Sequence, residues 1–304
     1  MRAGDASGAP DSDKRASGLR GDMTVAIVVP NLNQGRFLGA ALDSLLSQSG
    51  PAVEIAVMDA GSRDESLDVI RRYESRLVYW RSGPDGGQAA AINEGVRRLG
   101  AAQYVGWLNA DDVLLPGALH RLAAHLTAHP ACVAVYGRAH ITDGDGRVTG
   151  EFPTRPFSRR RLASTSIICQ PASLIRRSAW IGIGGLDESL SVSLDYELWW
   201  RLSRTGTLDF VPELVACSRD HESTKTRRQQ DRMYAESFQA LRRHLGYVPW
   251  RWCLSEAAYR WRTAHDGRRA ADPVSQSLCA WRALVRYTNV NGLSGLSRAA
   301  CGPR

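Results

Sequence analysis

Two spacings of hydrophobic residues alternate along the first half of this chain. The run Val25-Ala-Ile-Val-Val29 is short, continuous and β-branched and ends at Pro30, which predicts a strand buried on both faces of a parallel sheet. Phe37, Leu38, Ala41, Leu42, Leu45 and Leu46 then recur at helical spacing, so residues 36–48 should form a helix with one core-facing stripe. The alternation repeats, with strands expected at 53–58, 77–80 and 104–108 and helices at 65–73 and 88–99. Such a βαβ series predicts an α/β fold with a mostly parallel central sheet flanked by helices. A helix around 117–128 and a strand around 133–136 follow, and then the pattern becomes irregular, with Gly and Pro turns and a basic cluster at Arg159, Arg160 and Arg161.

The 304 residues are 43% hydrophobic and 23% charged, enough apolar material for a sizeable core. Residues 1–22 carry one Leu and no aromatic side chain, so they cannot repay the entropy of ordering and are expected to be a disordered tail. No apolar run reaches the roughly 18 residues of a membrane span, and no signal-peptide core precedes the first strand. Six cysteines stand at 132, 169, 217, 253, 279 and 301, too far apart for a zinc-finger spacing, which favours reduced thiols and a cytoplasmic protein. The net charge of +8 is concentrated late: residues 219–304 hold 16 basic and 7 acidic side chains. A basic end of this kind suits an anionic lipid, a nucleic acid or an acidic substrate.

In open parallel sheets ligands bind beyond the carboxyl ends of the strands, so the residues just after each strand are the ones to read for chemistry. Here they are Asn31, Asp59, the segment 80–87 and Asn109-Ala110-Asp111-Asp112. Neighbouring carboxylates at a strand tip repel each other, and a divalent cation shared with an anionic ligand would compensate them. Asp111 or Asp112 could equally cap the helix that begins near Pro116. Ser62 with Glu65 reads as a capping box for the next helix, whereas Asp59 sits ahead of that cap, where its carboxylate can accept hydrogen bonds from a base or ribose edge.

Six segments in order resemble the motifs of bacterial family 2 glycosyltransferases, from about Thr24 to about Thr226. They are Val29-Pro-Asn-Leu-Asn-Gln-Gly-Arg-Phe-Leu38, Met58-Asp-Ala-Gly-Ser-Arg-Asp64, Pro84-Asp-Gly-Gly-Gln88, Trp107-Leu-Asn-Ala-Asp-Asp112, Gly184-Gly-Leu-Asp-Glu188 leading to Asp195-Tyr-Glu-Leu-Trp-Trp-Arg-Leu202, and Arg219-Asp-His-Glu-Ser-Thr-Lys-Thr226. The resemblance implies a GT-A nucleotide-diphospho-sugar transferase fold. It also implies an inverting, metal-dependent glycosyl transfer from a nucleoside diphosphate-sugar to a hydroxyl, in cell-envelope glycan or polysaccharide assembly. The catalytic domain would then span 23–226, with a nucleotide-binding half at about 23–115, an acceptor half at about 116–226, and a basic helical extension at 227–304.

Residue by residue, the resemblance assigns Asp59 to the nucleotide base, with Pro30 and Asn31 lining its pocket, and Asp85, Gln88 and Asn93 to the vicinity of nucleotide and sugar. Asp111 and Asp112 match the motif usually written DxD that binds Mn²⁺ or Mg²⁺ and the diphosphate, but its first Asp is Asn109 here. Asp195 matches the catalytic base, although Leu194 replaces the Glu that often precedes it, and a helix N-cap is its alternative use. His221 resembles the histidine that completes the metal shell, with Lys225 nearby to neutralise phosphate. Gln170 and Arg176-Arg177 resemble the approach to the acceptor site. Of Trp199 and Trp200, one would be core and the other could stack on a sugar face.

Trp250, Leu254, Ala257, Ala258 and Trp261 form a stripe on a basic amphipathic helix, which either packs on the catalytic domain or lies on a membrane bearing a lipid-linked acceptor. Nucleic acid is not an expected partner. Two other readings compete with glycosyl transfer. One is a nucleotidyltransferase acting on sugar phosphates, against which the segment from Pro30 to Gly35 offers a single Gly and neither GxGxxG nor a P-loop. The other is a non-catalytic glycan- or nucleic-acid-binding module.

Overall fold

The computed structural model describes residues 23–100, 102–265, 270 and 272–292. The expected tail at 1–22 lies outside the described residues, as does the end of the extension beyond 292.

The βαβ series is present, and it places the site. Strands β1 (Thr24–Asn31), β2 (Ala52–Asp59), β3 (Tyr79–Ser82) and β4 (Tyr104–Trp107) lie parallel in the order β3-β2-β1-β4. The register pairs Asn31 with Asp59 and Val28 with Trp107, so three carboxyl ends open on one edge. Beyond β4 the sheet is mixed. Strand β8 (Ser173–Arg176) runs antiparallel to both β4 and β6 (Cys132–Thr142), while β9 (Thr207–Arg219) runs parallel to β6. The two-residue β5 (Val113–Leu114) and the hairpin strand β7 (Val148–Glu151) complete nine strands among the described residues.

Because successive side chains of a strand face opposite ways, β1 feeds two cores. Val25, Ile27 and Val29 pack with helices α1 (Gly35–Leu46) and α4 (Ala118–Ala128) through Leu38, Leu42, Leu119 and Leu122. Ala26 and Val28 face α3 (Gln88–Arg98) and, farther along that side, α7 (Leu194–Leu202). Gly95 permits this close approach, because a Cβ there would stand 2.6 Å from Val28 Cγ1. Each fully buried aliphatic side chain in these layers contributes about 1.5–3 kcal/mol.

Helices α2 (Ser66–Tyr73), α5 (Arg159–Ser164) and α6 (Arg177–Gly182) are short. Arg176 and Arg177, expected near the acceptor, are instead helix terminators. Arg176 donates to the carbonyls of Leu126 at 2.7 Å and Cys132 at 3.1 Å, and Arg177 to those of Leu99 at 2.8 Å and Val96 at 3.0 Å, which satisfies the last turns of α4 and α3. The predicted capping box is absent too: α2 starts at Ser66, and Asp64 accepts from the N–H groups of both Ser66 at 3.0 Å and Gly35 at 2.9 Å. One carboxylate thus caps two helices.

The C-terminal helices α8 (Lys225–Arg228), α9 (Gln230–Leu245), α10 (Trp250–Ala264) and α11 (Pro273–Asn291) share the core of the preceding part. Phe238, Leu241, Trp252 and Cys253 belong to the same apolar cluster as Tyr196 and Trp200. The stripe foreseen on α10 is therefore not a free face: Ala257 and Trp261 are buried, Trp250 and Leu254 are exposed, and the inward side carries Trp252 and Cys253. Among the described residues no helix is long and apolar enough to cross a membrane. None of the five described cysteines is in a disulfide.

Candidate active site

The strand-end residues form two connected groups. In the first, Asp59 is fully buried and is a hub rather than a free acceptor. Its Oδ1 accepts from Asn31 Nδ2 at 2.7 Å and Ser62 Oγ at 2.5 Å, and its Oδ2 from Ser82 Oγ at 2.5 Å and the N–H groups of Gly61 and Ser62 at 3.1 and 3.0 Å. Burial works against its ionisation, and the donors of Ser62, Ser82 and Asn31 outweigh that, holding the carboxyl below its usual pKa. Ser62 serves this hub, not a helix cap. Asn31 keeps one buried atom, Oδ1, without a partner among the described residues.

The second group gathers around the tip of β4. Gln88 Nε2 donates to Asn109 Oδ1 at 2.9 Å, Asn109 Nδ2 donates to Asp112 Oδ2 at 3.0 Å, and Lys225 Nζ donates to Gln88 Oε1 at 3.0 Å. The amide of Asn109 both accepts and donates here, which a carboxylate could not do. Burial lowers the pKa of the Lys225 ammonium, as expected for a cation awaiting an anion.

Asp111 and Asp112 diverge. Asp111 Oδ2 lies 3.0 Å from His221 Nε2, and His221 Nδ1 lies 2.8 Å from Ser223 Oγ, which fixes the ring. Asp112 turns inward, 3% exposed, and accepts from the Arg219 N–H at 2.9 Å. Burial first, and then the Asp111 charge, push its pKa up to about 7. Among the described residues Asp111, Asp112 and His221 do not bring three ligand atoms within 4.8 Å of one another. Asp111 and His221 stand as a pair, and Asp112 is not drawn into it. That pair fits a Mn²⁺ or Mg²⁺ ion that takes its remaining ligands from diphosphate and water, as small hard cations commonly do.

Asp195 occupies the second position of α7, behind Ser193 as N-cap, so it is not the cap itself. No side chain among the described residues bonds to its carboxylate, and burial pushes its pKa up to about 6. The buried Cys169 thiol, raised first by burial, feels the charges of both Asp112 and Asp195. Leu194, where the family often has Glu, is buried at 4% in the core.

Several assignments change. Asn93 is buried on α3 and spends its amide on the loop before α7, donating to the Leu186 carbonyl at 3.0 Å and Glu188 Oε1 at 2.9 Å and accepting from the Leu186 N–H at 2.9 Å. It clamps that loop. Trp199 and Trp200 are both fully buried, with Trp200 stacked on His244, so neither can stack on a sugar. Gln170 is buried too and donates to the Trp107 carbonyl at 2.7 Å, tying the β4 tip in place. Asp85 accepts from the Gly87 N–H at 2.8 Å and shapes the loop before α3. Beside that loop an open depression of about 370 Å³ is lined by Arg81, Ser82, Asp85, Glu94 and Glu188; it includes neither Asp111 nor Asp195 and forms the rim of the site.

One residue escaped the sequence reading. Glu236 of α9 accepts from the N–H groups of Ser191, Val192 and Ser193 at 2.9, 2.7 and 2.9 Å, holding the loop that leads into α7. A Glu within a helical pattern carries no local sign of such a task, although its placement opposite a Ser-rich loop is legible once α9 is docked.

Comparison with known proteins agrees with this geometry. A family model described as Glycosyl transferase family 2 matches residues 26–183, more than half of the chain. An uncharacterized glycosyltransferase of Rickettsia typhi is 27% identical over 225 residues, covering 71% of this chain and 70% of that protein. The chondroitin synthase of Escherichia coli is 25% identical over 192 residues, which is 62% of this chain but only 28% of the synthase. Among solved structures, S. aureus TarS 1-349 in complex with UDP-GlcNAc matches 91% of this chain and 76% of its own, with a TM-score of 0.58 at 14% identity. The mannosyltransferase PcManGT from Pyrobaculum calidifontis, in complex with GDP-Man and Mn²⁺, matches 91% and 78% with a TM-score of 0.53 at 16% identity. The fold is GT-A, the readings as a nucleotidyltransferase or a non-catalytic binding module give way to an enzyme, and the chain belongs to glycosyl transferase family 2.

Proposed function

We propose that this glycosyltransferase acts with inversion, taking a sugar from a nucleoside diphosphate-sugar and delivering it to a hydroxyl on a glycan or lipid-linked acceptor in cell-envelope polysaccharide assembly. The observation that carries this reading is the pairing of two unlike acidic sites in one protein: Asp111 beside His221 at a strand tip, and a half-buried Asp195 with no side-chain partner among the described residues. Two carboxylates with such different partners can divide the labour of a reaction.

Asp111 and His221 would hold a divalent cation, which, when bound, neutralises charge on the departing diphosphate. Lys225, released from Gln88, adds a second positive charge on the same side. Pro30, Asn31 and Asp59 form the end of the cleft suited to the base, where the buried Asn31 Oδ1 has no hydrogen-bond partner among the described residues. Asp85, Gln88 and Asn109 shape the wall between base and sugar. Asp195 takes the proton of the acceptor hydroxyl as its oxygen closes on the anomeric carbon; its raised pKa makes it a stronger base than an ordinary Asp while leaving it ionised at neutral pH. The basic C-terminal helices would bring the enzyme to the inner face of the cell membrane, where a lipid-linked acceptor resides.

A thermal-shift screen against UDP-, GDP- and dTDP-sugars, with and without Mn²⁺, identifies the donor, since a ligand of the native state raises Tm. NMR of the product then reads the anomeric configuration. Retention at that carbon, or undiminished turnover in Asp195→Asn, would reject the mechanism.

A further inference from the structure

We infer that Glu236 is a positioning residue for Asp195, and that α9 is therefore a working part of the active site and not an appendage; this rests on the reading of Asp195 as the base. The Glu236 carboxylate is 7% exposed and receives four donors: the consecutive N–H groups of Ser191, Val192 and Ser193, and Arg232 Nε at 2.8 Å. Three successive main-chain donors on one carboxylate fix the path of the chain in a way that a single side-chain contact cannot. The same face of α9 holds Ser193 a second time, since Ser193 Oγ lies 2.9 Å from Ser237 Oγ and donates to the Met233 carbonyl at 3.1 Å.

Ser193 is the N-cap of α7, yet its hydroxyl makes no capping bond within that helix. The start of α7 is anchored instead on α9, and Asp195 stands two residues farther on. On the opposite side Asn93 clamps Leu186 and Glu188, so the loop before α7 is gripped from both ends. On Asp195 Glu236 acts through backbone, although its charge is also felt by Lys225. Only burial and nearby main-chain N–H groups shift Asp195, so the Glu236 charge does not tune it. An error of about 1 Å in placing a reacting group costs on the order of a hundredfold in rate.

The test compares the wild-type chain with Glu236→Gln, Ser237→Ala and Arg232→Gln, reading donor KM, kcat and amide hydrogen exchange. Glu236→Gln should lower kcat about tenfold or more while donor KM stays within about twofold, with faster exchange at residues 191–195 and unchanged exchange in β1. Ser237→Ala, a milder loss that keeps the fold, should lower kcat by about threefold with the same KM. Arg232→Gln removes the ion pair but leaves the three N–H donors on the Glu236 carboxylate and should match wild type. Wild-type kcat and exchange in Glu236→Gln, or equal changes in kcat and KM, would overturn the inference. An inactive wild type would remove the glycosyl-transfer reading, whereas the exchange data would still decide whether Glu236 holds the loop.

Discussion

Asp111 Oδ2 and His221 Nε2 lie 3.0 Å apart although 110 residues separate them in sequence. They meet because β5 pairs with the end of β9, Val113 opposite Cys217, which lays the segment after β9 across the tip of β4. His221 is also packed against the Phe37 ring, with centroids 4.9 Å apart, so its position is fixed before any ligand arrives. In His221→Ala, Mn²⁺-dependent donor binding measured by calorimetry should weaken by about ten- to a hundredfold, while donor binding without metal changes little.

The pH dependence of kcat should show one acid limb. Burial places the Asp195 pKa at about 6, above the ordinary Asp value. Below that pH the folded enzyme carries a protonated base, and kcat should fall by about tenfold per unit. Between pH 7 and 8 this group imposes no slope. Asp195→Asn should be slow throughout and lose the limb, as a steady-state pH series would read directly.

Restoring the usual acidic motif should do harm. Asn109→Asp replaces the amide that donates to Asp112 Oδ2 with a carboxylate facing a buried carboxyl. The lost bond and the added repulsion should cost about 1–3 kcal/mol, seen as a lower urea midpoint with unchanged m.

Trp200→Ala should act on stability, not on sugar recognition. The side chain is fully buried between His244 and Tyr196, and its loss should cost about 3–5 kcal/mol in urea unfolding.

The first half of the fold was legible because β1 and β4 are buried along nearly their whole length and β2 over its second half. Continuous runs such as 25–29 followed by helical stripes admit few arrangements, and chemistry had to appear at their carboxyl ends. The second half was not. Strand β9 mixes Thr, Asp, Pro and Glu with apolar residues, and β8 spans four residues, so neither carries a period to read.

Sequence alone therefore determined the family and the α/β order, and it singled out Asp111, Asp195, His221 and Lys225 as candidates, because ordered motifs and strand-end positions are properties of the chain itself. Tertiary structure decided which way each side chain faces: that Asp112 turns inward, that Trp199 and Trp200 fill the core, that Asn93 clamps a loop, and that Glu236 carries the start of α7. Orientation depends on which distant N–H or ring packs opposite a residue, and long-range contacts of that kind leave no trace in local spacing.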